Sequence, residues 1–417
     1  MSDRIQSNSR LRRTACWALA WMFLLQVTEI SSGAYALGTA VGDMRQSASL
    51  SGGTSCPRLT RFDVSTPGAI NRQWSTSLGT SPASIKTADR SPDGQLAEIE
   101  TAIQQSLAAW TGVSGAALTA ASLGTLQRTA AAAACTPTDG MNSICFNQQD
   151  AGFAFGVLAF TRVVTADTLG EQLSPSTPPA AFVGEILDAD VLLRPGDPNT
   201  SFATPAALAL NPNSYDLESI LTHELGHSFG FGHSGVWRAM MFPFAPPPGQ
   251  FTGTRPTAGA PDAQLSDDDR TGLRVLYPDP GDFTHSGAIS GRVLPANPLA
   301  LPVAPAGVTG VFPVQVVAVD SATGAVVSAV MAGWSCSNPG PAVFDGSFSL
   351  QKLRVGNGQN YEIYPEPLDG PVTLDNVIYN LTSLCRNSVT DPGWPAQFAC
   401  TVPAAAAPFS ARIRPGP

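Results

Sequence analysis

The sequence predicts an α+β unit followed by a separate all-β unit, and three observations support that order. Apolar residues recur at three- and four-residue spacing in residues 95–110, and helical patterns return after Asp216 and after Ser266. Between the first two helical stretches lie short runs of β-type composition separated by Gly, Pro and Ser. Beyond Pro280 the helical spacing stops and only short β-rich runs remain. A chain of 417 residues also exceeds what one hydrophobic core usually serves, so two folded units with flanking segments are expected.

Composition and the first residues point to an oxidising, extracellular setting. Hydrophobic residues make up 43% and charged residues 13%, with 39 Gly and 36 Pro, which suits a loop-rich secreted chain better than a helical cytosolic one. Arg4, Arg10, Arg12 and Arg13 precede an apolar run over 15–27, and Ala34-Tyr35-Ala36 supplies small residues for cleavage, so residues 1–36 read as a signal peptide. That run is shorter than the roughly 20 residues that span a bilayer, which argues against an anchor. Lys and Arg number 23 against 32 Asp and Glu, a net charge of −9. The signal holds four Arg and two acids, so its removal leaves −11. Such a surface repels nucleic acid and anionic lipid, and neither is expected as a partner.

Of the seven Cys, Cys16 leaves with the signal; Cys56, Cys135, Cys145, Cys336, Cys385 and Cys400 remain, an even number that favours disulfides. Cys135 and Cys145 bracket a turn with Pro and Gly and are expected to pair. No C-x-x-C pair supports a thiolate metal site.

Residues 37–60 are Ser- and Gly-rich and read as a flexible lead-in. In 95–110 the positions Leu96, Ile99, Ile103, Leu107 and Trp110 form one apolar face of a first helix. The Thr- and Ala-rich stretch up to Ala134 reads as an insertion. Runs at 143–147, 153–164 and 186–193 read as strands of one sheet. A second helix begins near Asp216 and breaks in the Gly-rich segment 226–235. A third opens at Ser266-Asp267-Asp268-Asp269 in capping-box style, with Asp269 in the reciprocal position, and ends at Tyr277-Pro278. Past Pro280, runs at 288–294, 311–319, 326–331, 347–353 and 361–364 predict a β-sandwich over 283–370. Residues 371–417 form an extension with no assigned structure.

The segment His223-Glu224-Leu225-Gly226-His227-Ser228-Phe229-Gly230-Phe231-Gly232-His233 carries the chemistry. Histidines four apart on a helix share a face, so His223 and His227 can converge on one zinc ion. Gly230 ends the helix and permits the turn that returns His233 as third ligand. Three protein ligands leave the fourth position open, as catalytic zinc requires, and Glu224 can reach a water there as general base without ligating the metal.

This motif resembles the zinc-binding signature of the matrixin branch of the metzincins, the branch that contains the matrix metalloproteases. Ala239-Met240-Met241-Phe242-Pro243 resembles the Met-turn of that family, and its Pro favours Met241 over Met240 as the residue beneath the metal. Leu265-Ser266-Asp267-Asp268-Asp269 and Leu276-Tyr277-Pro278 resemble the two ends of the last catalytic-domain helix. Residues 103–110 resemble the first helix, and Asp188-Ala189-Asp190-Val191 the strand that lines the substrate cleft.

The resemblance implies a metzincin catalytic domain over 61–280, with a twisted mixed sheet, an active-site helix and a C-terminal helix. It also implies a secreted zinc metalloendopeptidase with protein or peptide substrates. Phe242, Pro243 and Phe244 would form one wall of the pocket that receives the side chain after the cleaved bond. The only other His, His285, lies outside this domain, so one zinc is expected. Neither Cys56 nor its neighbours match the thiolate pro-segment of the animal enzymes. Calcium is an expectation through Asp188, Asp190 or Asp197, against the alternative of solvated surface carboxylates.

Gly287-Ala288-Ile289-Ser290-Gly291-Arg292-Val293 and Asp345-Gly346-Ser347-Phe348-Ser349-Leu350 resemble the transthyretin-like carboxypeptidase regulatory domain. Two other functions compete: a secreted adhesion or binding protein with a structural zinc, and a metal-dependent hydrolase of a non-peptide substrate. Glu224 argues against the first, because a structural site needs no acid there.

Overall fold

The computed structural model describes residues 60–366 except 66–71, 78–83, 129–134, 136–137, 147–152, 154–155, 167, 196–199, 295–309, 312–313, 334, 337–341, 344 and 357. The expected signal peptide, the lead-in before Thr60, the extension 371–417, Asp197, Cys56, Cys385 and Cys400 lie outside the described residues. Thr60, assigned to the lead-in, is itself buried.

In chain order the first unit comprises β1 (Arg72–Ser77), β2 (Ile85–Lys86), α1 (Pro92–Thr111), β3 (Ser122–Arg128), β4 (Ser143–Cys145), β5 (Ala159–Thr165), β6 (Ile186–Leu193), β7 (Phe202–Ala203), β8 (Tyr215–Asp216), α2 (Leu217–Ser228) and α3 (Asp267–Leu276). Helix α1 starts where the Ser91 hydroxyl accepts the Gly94 N–H, and Pro92 sits in the first turn, where its missing donor costs nothing. Its buried stripe is the one that the spacing predicts: Ile99, Ile103, Leu107 and Trp110 are each no more than 3% exposed.

The main sheet has the order β3-β1-β4-β6-β5. Its strands run parallel except β5, which pairs antiparallel with β6 along the edge. The three predicted strand runs are the adjacent strands β4, β6 and β5. The last begins only at Ala159, after Gly156 has turned the chain at φ 83°.

Two expectations need correction. The stretch up to Ala134 is not wholly an insertion, since Ser122–Arg128 forms β3. Its apolar residues do not alternate and Leu123 is 57% exposed, so no periodic pattern marks the strand, which pairs in parallel with β1. The strand with Asp188-Ala189-Asp190-Val191 is interior, flanked by β4 and β5. Among the described strands, the edge of the sheet beside the His-bearing helix is β5.

Asp188 and Asp190 are also not surface carboxylates, each being 1% exposed. Asp188 accepts the Gly140 N–H at 2.9 Å and Asp190 the Ser143 N–H at 3.0 Å, which fixes the turn entering β4. The sulfur atoms of Cys135 and Cys145 lie within bonding distance, with Cα atoms 6.0 Å apart.

The second unit comprises β9 (Ser286–Arg292), β10 (Val314–Asp320), β11 (Val326–Ala332), β12 (Ser335–Cys336), β13 (Ala342–Val343), β14 (Ser347–Arg354) and β15 (Tyr361–Glu366). All of its described pairings are antiparallel: β11-β10-β15, β14-β9 and β12-β13. Val314, Val316, Ala318 and Val330 from the first sheet share a core with Leu350 and Leu353 from β14. The spacing of two along β10 puts alternate side chains into that core. Helix α3 belongs to the first unit yet packs its outer face on β11 and β14. Among the described residues no helix is long and apolar enough to cross a membrane.

Candidate metal centre

Helix α2 is positioned by its first turn. Asp216 caps it by accepting the Ser219 N–H at 2.8 Å, and Arg255 pairs with both Asp216 and Glu218. Burial pushes the Glu218 carboxyl up to about 7, with Arg255 opposing the shift. From behind, α1 fastens the same helix: the Trp110 indole N–H donates to the Thr222 carbonyl at 2.8 Å, and the Ser106 hydroxyl to the Glu218 carbonyl at 3.1 Å.

The helix ends as the sequence predicts. Gly230 has φ 99°, and a Cβ there would lie 2.0 Å from the Thr60 carbonyl oxygen, so only glycine fits the turn that carries the chain toward His233. Tyr277 holds this turn from outside, its hydroxyl donating to the Phe229 carbonyl at 2.7 Å.

The structure brings His223, His227 and His233 together, with one ring nitrogen of each within 4.8 Å of the others. His223 Nδ1 lies 2.7 Å from the Met240 carbonyl oxygen, and His227 Nδ1 lies 2.9 Å from that of Phe231. A ring nitrogen facing a carbonyl must carry the proton, which leaves the lone pair of each neutral imidazole on Nε2. Those two Nε2 atoms face each other at 3.1 Å. Two opposed lone pairs repel, and a cation between them removes the conflict. A tetrahedral zinc bonded at about 2.05 Å sets two ligand nitrogens about 3.3 Å apart, so the residues present fit that ion. Burial lowers the His223 pKa to about 4 and that of His227 well below its ordinary value, which keeps both imidazoles neutral and ready to ligate.

Glu224 is 4% exposed beside the triad. Burial pushes its carboxyl up to about 8, and a hydrogen bond from the Thr161 hydroxyl pulls the other way. That hydroxyl lies 2.7 Å from Glu224 Oε2 and 2.9 Å from the Glu224 carbonyl oxygen, so the edge strand β5 orients the acid. Sequence reasoning missed Thr161, because a Thr in a strand signals only β propensity.

Met240 and Met241 have different places. Met241 packs under α2: a Cβ on Gly226 would lie 2.2 Å from its sulfur and 2.7 Å from the Trp110 ring. Met240 gives its carbonyl to His223 and lines the recess. Asp269 holds the whole turn, accepting the Met240 N–H at 2.7 Å and the Met241 N–H at 3.2 Å, while it completes the predicted capping box with Ser266.

Gly226→Ala is therefore expected to destabilise the protein. Helix propensity favours Ala by about 1 kcal/mol, but overpacking a buried site costs about 1–3 kcal/mol, and here both neighbours are themselves buried. Thermal unfolding would show a lowered Tm; a raised Tm would mean that Met241 moves aside freely.

Next to His223 and Glu224 a recess of about 380 Å³, partly open to solvent, is lined by Leu158, Ile220, Met240, Phe242 and Phe244 among others. Pro243, expected in its wall, is buried and is not among the lining residues. The Ser219 hydroxyl, another lining group, accepts the Thr252 N–H at 3.0 Å and joins the far side of the recess to α2.

Residues 84–278, a little under half of the chain, match the family model described as Matrixin. Metalloendoproteinase 1 of Glycine max is 42% identical over 65 residues, 16% of this chain and 18% of that protein. Metalloendoproteinase 5-MMP of Arabidopsis thaliana is 29% identical over 109 residues, 26% of each chain. Metalloendoproteinase 2-MMP of the same plant is 37% identical over 62 residues, 15% of this chain and 14% of that protein. The chain thus spans no more than 26% of the length of these curated relatives. The histidine triad lies inside the matched segment, so the similarity of residues 84–278 to the matrixin family includes the candidate metal ligands.

Proposed function

We propose that this protein is a secreted zinc metalloendopeptidase in which His223, His227 and His233 hold one zinc ion and Glu224 is the general base. The observation that carries the reading is the pair of imidazole lone pairs opposed at 3.1 Å, with a buried carboxyl and an apolar recess alongside. When bound, zinc supplies the Lewis acidity that acidifies a water and polarises a carbonyl. Glu224 takes the proton from that water and passes it to the leaving amine. Thr161 engages Oε2 and so leaves Oε1 for the transfer. The edge strand β5 offers backbone groups for an extended peptide, and Phe242 and Phe244 favour an apolar side chain in the recess.

Secretion rests on the signal-like residues 1–36 and agrees with pairing of Cys135 with Cys145. The domain limits follow: a lead-in to residue 60, a catalytic unit over 61–280 and a transthyretin-like sandwich over 283–370. Two antiparallel sheets with a common core support that last assignment. A binding protein with a structural zinc is disfavoured, since burying a carboxyl beside three ligands costs stability and serves no structural need.

The test is cleavage of an unstructured protein by the full chain, with and without a chelator. Cleavage that the chelator abolishes and added zinc restores supports the reading; zinc binding without cleavage across many unfolded substrates refutes it. A finer test is Thr161→Val. Losing the hydroxyl removes a hydrogen bond that lowers the Glu224 pKa, so the acidic limb of the pH–activity profile should move to higher pH. An unmoved limb would deny Thr161 its role.

A further inference from the structure

Helix α3 carries three successive acids at its start, and only Asp269 serves the Met-turn directly. Asp268 is fully buried, and its two oxygens serve two different parts of the chain. Oδ2 accepts the Ser234 hydroxyl at 2.7 Å, on the residue that follows His233. Oδ1 accepts the N–H of Ala329 at 2.7 Å, from strand β11 of the second unit. Strand β11 lies at the edge of its sheet, so this N–H is one that an edge strand leaves free for another partner.

Ser234 is itself tied into the site. Its N–H donates to the Met241 carbonyl at 2.8 Å, and its hydroxyl oxygen accepts the Val236 N–H at 3.1 Å. The loop with His233 and the Met-turn thus share one residue, and that residue is held by a carboxylate which the β unit holds in turn.

The β unit is locked at a second point. Arg354 on β14 grips Asp282 with one nitrogen at 2.8 and 2.9 Å from its two oxygens, and its other nitrogen donates to the Ser114 carbonyl at 2.6 Å, on the loop after α1. Between the two locks, Thr271, Gly272 and Val275 of α3 face Ser328 and Val330 of β11 and Ser349 and Gln351 of β14. A mere spacer needs neither a buried carboxylate shared between units nor a two-point attachment.

We propose that the C-terminal β unit is an intramolecular buttress of the metal centre, acting through Asp268 as a positioning residue that holds Ser234 and, through it, the loop of the third ligand. The proposal rests on the zinc site above, but its test does not depend on catalysis. Loosening either side of the Asp268 link frees the loop, whereas an amide in place of the carboxylate can still accept from Ala329 and donate to Ser234.

The experiment compares the full chain with Asp268→Ala, Asp268→Asn and Ala329→Pro, the last removing the donor at an edge position of its sheet, where proline is best tolerated. Amide hydrogen exchange is followed in residues 229–243 and in α1, together with the rate at which bound zinc passes to a chromogenic chelator. Exchange in 229–243 should quicken about tenfold or more in Asp268→Ala and Ala329→Pro, with α1 unchanged, and zinc release should quicken about three- to tenfold. Asp268→Asn should stay within about twofold of the parent in both.

Parent-like exchange in both disruptive variants would overturn the proposal and leave the β unit an appendage. Equal loosening of α1 would overturn it as well, because the contact would then support the whole unit rather than the ligand loop. If the parent binds no zinc, the metal reading fails by itself and the exchange comparison still decides the buttress.

Discussion

Glu224→Ala is expected to lower kcat for peptide cleavage roughly 10³-fold, about 4 kcal/mol of barrier, with KM and zinc content close to those of the parent. The carboxyl is buried, whereas the three clustered ring nitrogens all come from histidine, so on the proposed reading its removal deletes the proton carrier and leaves the ligands in place. Burial, opposed by the hydrogen bond from Thr161, sets its pKa at about 8, and a dication next to it would draw that value down, toward the range in which a base works at neutral pH. Steady-state kinetics and metal analysis on the same preparation check this. A variant that cleaves as fast as the parent would remove Glu224 from the mechanism; loss of zinc with loss of activity would make it a structural residue.

Removing the metal is the second large effect. A ligand that binds only the folded state, at a concentration a thousandfold above its Kd, adds about 4 kcal/mol, and in a unit of this size that corresponds to roughly 10 °C in Tm. Chelation should therefore lower Tm by about 10 °C, and added zinc should restore it. Acid should release the ion only at low pH. Protons compete for the same lone pairs, and burial holds the His223 pKa near 4, well under that of an exposed imidazole. Zinc occupancy after dialysis at pH 5 should match that at pH 7; release with a midpoint near pH 6.5 would mean that the triad is not buried as described.

How much could be read from the sequence depended on where the determining contact lies. The helices with Trp110, His223 and Asp269 were legible, because caps and apolar spacing are local and the burial follows them residue by residue. The triad was legible because imidazoles four apart on a helix, with a glycine to turn the chain, leave few other arrangements.

Strands β1 and β3 were not. Arg-Gln-Trp-Ser-Thr-Ser and Ser-Leu-Gly-Thr-Leu-Gln-Arg show no alternation, and parallel pairing between segments some fifty residues apart decides their structure. In the sequence Asp188 and Asp190 suggest solvent or calcium, yet each spends an oxygen on a backbone N–H from a turn almost fifty residues upstream. Thr161 and Glu224 are 63 residues apart, and Asp268 and Ala329 are 61 apart. Contacts of that range leave no periodic trace in the sequence, so the supports around the centre emerge only in three dimensions.

Tyr277 imposes an order on how the molecule can be assembled. Its hydroxyl donates to Phe229, 48 residues upstream, and accepts the N–H of Phe62, 215 residues upstream. At about 5–20 residues per second, a ribosome needs roughly 2–10 s to travel from the end of the histidine helix to this tyrosine. During those seconds the nascent chain holds all three histidines without the brace that closes their turn. The turn that carries the third histidine is thus braced only when the last helix of the first unit arrives and ties the two ends of that unit together.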